Sequence, residues 1–238
     1  MSTHEKPQTG HIYNYEFFDP SFYDFASFPG PKAGEQFEDM TLLDTAGKPV
    51  PLSSLLDRPL VLETGSITCP MYARCVAPMT ALVHEFPDVR FVTVYVREAH
   101  PGNRTGAHQN QTDKLALATR VDSLYDDRRL VLVDDLVGTF HNTYGSLPNM
   151  VYVINKDGRV VFRGNWNDPA HVRKVLLSLD EKKVWSRERF EAIKPPPRIA
   201  LKALSEGGWL AVWDFAKGLP RLMWNHRKER NRKRRDRG

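Results

Sequence analysis

Two short apolar runs, Pro59-Leu-Val-Leu-Glu-Thr before Gly65 and Arg90-Phe-Val-Thr-Val-Tyr-Val, flank one helical stripe of Met71, Cys75, Val76, Met79, Leu82, Val83 and Phe86. Runs this short and this apolar read as strands buried on both faces, and a helix between them makes the connection a crossover. The two strands must then lie parallel inside a sheet covered on both sides. A third run, Leu130-Val-Leu-Val-Asp, follows a loop rich in Gly, Asn and Pro (101–111) and a helix predicted over 112–125. A short helix through Phe140 comes next. Then Met150-Val-Tyr-Val-Ile, the turn at 155–158 and Val160-Val-Phe predict an antiparallel pair, and Asp168-Pro169 caps a helix carrying Val172, Val175, Leu176 and Leu179. Upstream, Phe37 to Asp44 and the turn Thr45-Ala-Gly-Lys signal an edge hairpin. The order is that of a three-layer α/β domain, a mixed central sheet flanked by helices.

The 238 residues suit one such domain, 35–183, with extensions at both ends. Residues 1–34 form an aromatic leader cut by Pro20, Pro29, Gly30 and Pro31, expected to pack on the domain surface as an N-terminal arm. Residues 184–238 comprise a stiff Lys194-Pro-Pro-Pro-Arg linker, a helical segment from Leu201 to Ala216 stopping near Gly218 and Pro220, and a basic tail. The net charge of +5 comes from that tail: eight basic and two acidic residues after His226 carry +6, leaving a near-neutral body. The tail and the preceding Trp-containing segment suit an anionic membrane surface or nucleic acid through 227–237. Hydrophobic residues at 41% and charged residues at 26% fit a soluble globular protein, and no apolar stretch reaches membrane-spanning length. Met1-Ser-Thr-His-Glu-Lys lacks a secretory layout, so the expected location is cytoplasmic, peripheral to the inner membrane surface. Two cysteines exclude a disulfide scaffold and a four-cysteine zinc module, and no metal or bound cofactor is expected.

Those cysteines differ. Cys69 follows a strand and precedes Pro70, a residue suited to a helix's first position. A thiolate there faces free backbone N–H groups and the positive helix end, an arrangement expected to lower its pKa and make it nucleophilic. Cys75 lies on the apolar stripe of the same helix. Six helical residues put it about 9 Å along the axis and ~240° around it. A disulfide needs Cα atoms within about 7 Å, so Cys75 is either a core residue or a resolving thiol that requires unwinding.

The stretch Gly65-Ser66-Ile67-Thr68-Cys69-Pro70 resembles the active-site segment of the iodothyronine deiodinases, with Cys69 at the selenocysteine position. Downstream, Tyr95-Val-Arg-Glu-Ala-His100 is similar to that family's Tyr-Ile-Glu-Glu-Ala-His, and His108-Gln109-Asn110 to its His-Gln-Asn. Val131 to Asp134, Leu147-Pro148 and Asn165-Trp166-Asn167 match further motifs in the same order. The resemblance spans about 60–175. It implies a thioredoxin-like fold and places functional residues at Ser66, Thr68, Cys69, Tyr95, Glu98, His100 and His108, with Pro148 as the cis-proline beside the thiol. An imidazole at His100, oriented by Glu98, would exchange a proton with the thiol or a leaving carbanion. The sequence departs from the family in having sulfur for selenium, Ile67 for a cysteine, the additional Cys75, and the aromatic leader where the family has a membrane anchor.

Three functional expectations follow. The first is a thiol-dependent reductive oxidoreductase in which Cys69 attacks a halogen, a peroxide oxygen or a disulfide sulfur of a small-molecule or thiol substrate, and an external thiol reductant restores it. The second is a peroxiredoxin-like peroxidase, with Cys69 oxidised to a sulfenic acid that Cys75 resolves. The third is a non-catalytic thioredoxin-fold module working through its tail. A homodimer is compatible with all three.

Overall fold

The computed structural model describes residues 13–24, 27–179 and 183–235, and beyond Trp224 only the side chain of Arg227. Strands β1 (Thr41–Asp44) and β2 (Pro49–Pro51) form the edge hairpin. They are followed by β3 (Leu60–Gly65), α1 (Pro70–Glu85), β4 (Arg90–Tyr95), α2 (Gln111–Ala118), α3 (Arg120–Tyr125), β5 (Leu130–Val133) and α4 (Thr139–Tyr144). The antiparallel pair β6 (Val151–Ile154) and β7 (Val160–Gly164) leads to α5 (Pro169–Leu176), α6 (Pro197–Gly207) and α7 (Trp209–Arg235). All seven strands join one sheet in the order β2-β1-β5-β4-β3-β6-β7.

The parallel centre follows from the apolar runs. β3 pairs β4 from Leu60 opposite Arg90 to Gly65 opposite Tyr95, β5 adds in parallel to β4, and β6 pairs β3 antiparallel. Alternation along the strands divides the core. Leu60, Leu62, Val92 and Val94 face Phe140, Tyr144 and Tyr152 on one side, while Val61, Phe91 and Val153 face Cys75, Met79 and Val172 on the other. Gly65 ends β3 beneath α1, where a Cβ would lie 2.3 Å from the Tyr72 ring, so the strand and the helix start approach as closely as they do because this residue lacks a side chain.

Three expectations are corrected. The region predicted as one helix over 112–125 is two, divided at Thr119, which caps α2 with helical backbone angles while α3 starts afresh. The C-terminal helix does not stop near Gly218 and Pro220. α7 runs through both, because Gly218 lets Phe18 and Pro20 of the leader approach within 3.1 Å of where a Cβ would stand, and that packing offsets the cost of both residues. The leader itself is more than a surface arm: Tyr13, Tyr15, Phe18, Tyr23 and Phe28 are buried. Tyr13, Tyr15 and Tyr23 surround the buried Arg97 guanidinium at 5.7, 4.8 and 4.9 Å from their ring centroids, a desolvated cation held by aromatic faces. The leader residues before Tyr13, Phe25, and the tail's basic side chains after Arg227 lie outside the described residues.

Candidate functional site

The loops leaving β3 and β4 at their carboxyl ends bring the site together, the position where open α/β sheets collect ligand sites. After β3 the chain turns through Ser66–Thr68, closed by the Cys69 N–H donating to Ser66 O at 3.1 Å. Cys69 is the N-cap of α1: its Sγ accepts the Tyr72 N–H at 3.4 Å, and Pro70 occupies the first turn. The loop after β4 is laced to this turn. Ala99 N–H donates to Ser66 Oγ at 3.2 Å and His100 N–H to Thr68 Oγ1 at 3.1 Å.

Beneath the turn lies a buried polar cluster made of the remaining expected residues. Glu98 Oε2 accepts from Thr68 N–H at 3.1 Å and from Thr68 Oγ1 at 2.6 Å, Tyr95 OH donates to Glu98 Oε1, and His108 Nε2 stands 3.8 Å from that oxygen. Burial holds Glu98 above its usual range, and burial with the Lys114 charge pushes His108 down to about 4, so His108 is neutral at physiological pH. Glu98 therefore orients Thr68, and through it the Cys69 turn. It does not orient His100 as the sequence suggested, because the backbone bonds to Ser66 and Thr68 send the two side chains apart. His100 instead lies between Phe18 and Phe215, at ring distances of 4.3 and 5.3 Å. Its Nδ1 is buried without a hydrogen-bond partner among the described residues, and burial pushes its pKa down to about 3.

Two expectations about the thiol's surroundings are also corrected. No peptide bond among the described residues is cis, so the Leu147–Pro148 bond is trans, the isomer that X–Pro bonds favour by about 0.5–1 kcal/mol. Pro148 is still beside the sulfur, its carbonyl 4.0 Å from Cys69 Sγ. The thiol pKa is not lowered. Burial pushes it up to about 12, and the N–H groups of Tyr72 and Met71 offset only part of that. A helix end is worth at most about 2 kcal/mol, less than the cost of charging a group removed from water. The resting thiol is protonated.

Above Cys69 and His100 lies a cavity of about 520 Å³. Its walls are largely apolar: Phe18 and Tyr23 of the leader, Pro148, Trp166, and Phe215 and Met223 of α7. Cys75 is elsewhere, in the core under α1, its thiol donating to Asn149 Oδ1 at 3.5 Å and Asn167 O at 3.6 Å. Sequence reasoning missed the ionic network below the helix start. Glu63, wholly buried in β3, accepts from Arg129 at 2.6 Å, Asn149 at 2.8 Å and Asn167 at 2.6 Å. Arg129 also grips Asp127, which accepts from Tyr72 OH at 2.5 Å. A carboxylate inside a doubly buried strand was the available signal, since such a charge requires a partner. Among the described residues no group of three or more His, Cys, Asp or Glu is arranged to hold a metal ion.

Because His100, His108 and the buried His141 are all held neutral, stability should depend on pH with a definite sign. The unfolded chain protonates these rings near 6.5, so it binds more protons than the fold between that pH and the lowered values. The histidine contribution is complete above about 6.5 and falls as pH drops, by up to about 1.4 kcal/mol per pH unit for each histidine. It is opposed in part by Glu98 and Asp134, whose burial raises their pKa and makes the fold bind the extra proton there. Denaturant titrations at about pH 7 and 5 should show this loss, with a shallower slope for His100→Gln. Equal stability at both pH values would refute it.

A family model described as iodothyronine deiodinase matches residues 53–180. The chain is 27% identical over 135 residues to the type I iodothyronine deiodinase of Xenopus laevis, covering 53% of each protein. It is 25% identical over 153 residues to the thyroxine 5-deiodinase of Ovis aries, covering 60% of this chain and 50% of that one. It thus spans about half the length of the curated relatives it matches. Among solved structures, a hypothetical protein from Sinorhizobium meliloti superposes with a TM-score of 0.55 at 15% identity, over 69% of this chain and 94% of that one. A protein from Chlorobium tepidum described as a thiol:disulfide interchange protein gives 0.50 at 16%, over 63% and 98%. The fold is thioredoxin-like, a mixed sheet with helices on both faces.

Proposed function

The chain belongs to the iodothyronine deiodinase family, and from that premise we propose that it is a thiol-dependent reductive oxidoreductase with Cys69 as its nucleophile. The observation that carries the reading is the thiol's place: a helix N-terminus opening into an apolar cavity of about 520 Å³ shared with a neutral histidine. A cavity of this size suits a small organic molecule, and its apolar walls favour an organic electrophile over hydrogen peroxide. The relatives are named for acting on iodothyronines and thyroxine, and an iodoaryl group is apolar and polarisable enough for such walls.

With the thiol held near about 12 and His100 near about 3, no ion pair forms at rest. The Cys69 proton leaves only as the sulfur attacks, taken up in the same step by the Nδ1 of His100, which has no hydrogen-bond partner among the described residues. The sulfur attacks iodine along the C–I axis; the S–I bond forms as the C–I bond breaks, and the electron pair remains on the ring carbon, which takes a proton from His100. The arene is reduced by two electrons and the sulfur oxidised to a sulfenyl iodide. One external thiol displaces iodide to give a mixed disulfide, and a second releases Cys69 and a symmetrical disulfide. Cys75, with its own partners in the core, supports regeneration by an external thiol over internal resolution. Turnover should require added thiol and be faster on an iodoaryl compound than on hydrogen peroxide or a linear disulfide. A preference for peroxide with a Cys69–Cys75 disulfide as product would favour the peroxidase reading instead.

A further inference from the structure

α7 has apolar residues on two sides. Its inner side, with Phe215 and Leu222, closes the cavity over His100. Its outer side carries Trp209, Trp213 and Trp224, exposed by 67%, 55% and 61%, with Met223, 55% exposed, at the edge where the outer side meets the cavity that it also lines. At 100° per residue these four, Pro220 and Arg227 fall within one arc of about 100°. Three of the five tryptophans in the chain thus share one outward stripe. Lys217 and Arg221, both exposed, border it; Asp214 lies toward the same border, 3.7 Å from Lys217, and Arg221 reaches Asp19 of the leader at the same distance. The helix continues to Arg235 through the sequence's most basic stretch.

We propose that the outer face of α7 docks on an anionic lipid surface. A helix with aromatic and aliphatic residues on one side and Lys and Arg beside it lies in the interface, its tryptophans at headgroup level and its cations on lipid phosphates. Charge complementarity selects this occupant: the stripe is bordered by Lys217 and Arg221 and runs into eight basic residues against two acidic ones after His226, a match for lipid phosphates. No helix of the described residues is long and apolar enough to cross a membrane, so the contact lies along the surface. Docking also sets the cavity roof against the bilayer, where apolar molecules concentrate. That delivery rests on the proposed catalytic reading; the docking does not.

The test uses the full chain with extruded vesicles, either phosphatidylcholine alone or phosphatidylcholine and phosphatidylserine in equal parts, read by co-sedimentation and tryptophan emission. Binding to the mixed vesicles should exceed binding to phosphatidylcholine by at least about tenfold, with a blue shift. The Lys217→Glu, Arg221→Glu double variant should lose about tenfold or more, and the Trp209→Ser, Trp213→Ser variant most of the shift and the binding. Cys69→Ser protein is run alongside, so loss of the catalytic reading leaves this readout intact. The proposal is overturned if native protein does not sediment with mixed vesicles, or if both variants bind as well as native. It is also overturned if the native chain dimerises in solution and the Trp variant does not.

Discussion

Cys69→Ser should abolish thiol-dependent turnover, by at least about 10⁴-fold, while the protein remains folded. Removing a covalent nucleophile leaves only binding and orientation, and losses of that order or greater follow. The substitution is a clean one here. Sulfur serves as the N-cap of α1 by accepting from Tyr72 N–H, and serine is among the best N-caps, so the helix start keeps its partner. Thermal stability should therefore change by less than about 1 kcal/mol. Cys75→Ser is the contrast. It alters a thiol bonded to Asn149 and Asn167 in the core, and should cost about 1 kcal/mol of stability while leaving turnover within about threefold. Parallel rate and melting measurements separate the two. Native-like turnover in Cys69→Ser would remove the assignment.

The second large effect concerns the ionic network below the site. Arg129→Met leaves Glu63 and Asp127 buried with their strongest donor gone. Breaking one partner of a buried pair costs about 3–5 kcal/mol, a large share of the 5–15 kcal/mol that holds a domain together. At roughly 2–4 °C per kcal/mol for a chain of this size, the melting temperature should fall by roughly 6–20 °C. Lysine should rescue little, since it cannot reproduce the fork that meets Asp127 with two nitrogens and Glu63 with a third contact. Because the network also holds Tyr72, Asn149 and Asn167, activity should decline before global unfolding. A melting point within about 2 °C of native would show that the network carries little of the stability.

Much of this was legible along the chain. The parallel centre followed from the brevity and apolarity of the runs at β3 and β4, the N-cap position of Cys69 from its neighbour Pro70, and the α5 cap from Asp168-Pro169, whose carboxylate accepts from Ala170 and His171. Local signals sufficed because the partners are local. What escaped depends on groups far apart in sequence. The leader's tyrosines show no periodicity, and their reason for burial is Arg97, about 80 residues away. The passage of α7 through Gly218 and Pro220 depends on Phe18. The thiol's high pKa reflects enclosure by the leader and α7, which a helix-end argument about Cys69 alone leaves out. Glu98 and His100 are two residues apart in sequence, but hydrogen bonds to the Ser66–Thr68 turn divide them between a polar cluster and an aromatic sandwich.

The most direct test of the central claim is a single-turnover experiment on the native chain with an iodoaryl substrate, one equivalent of a small thiol and peptide mass mapping. One iodide should be released per chain, with the small thiol captured as a mixed disulfide on Cys69 and Cys75 recovered as free thiol. Iodide release with Cys69 unmodified, or the label on Cys75, would contradict the account.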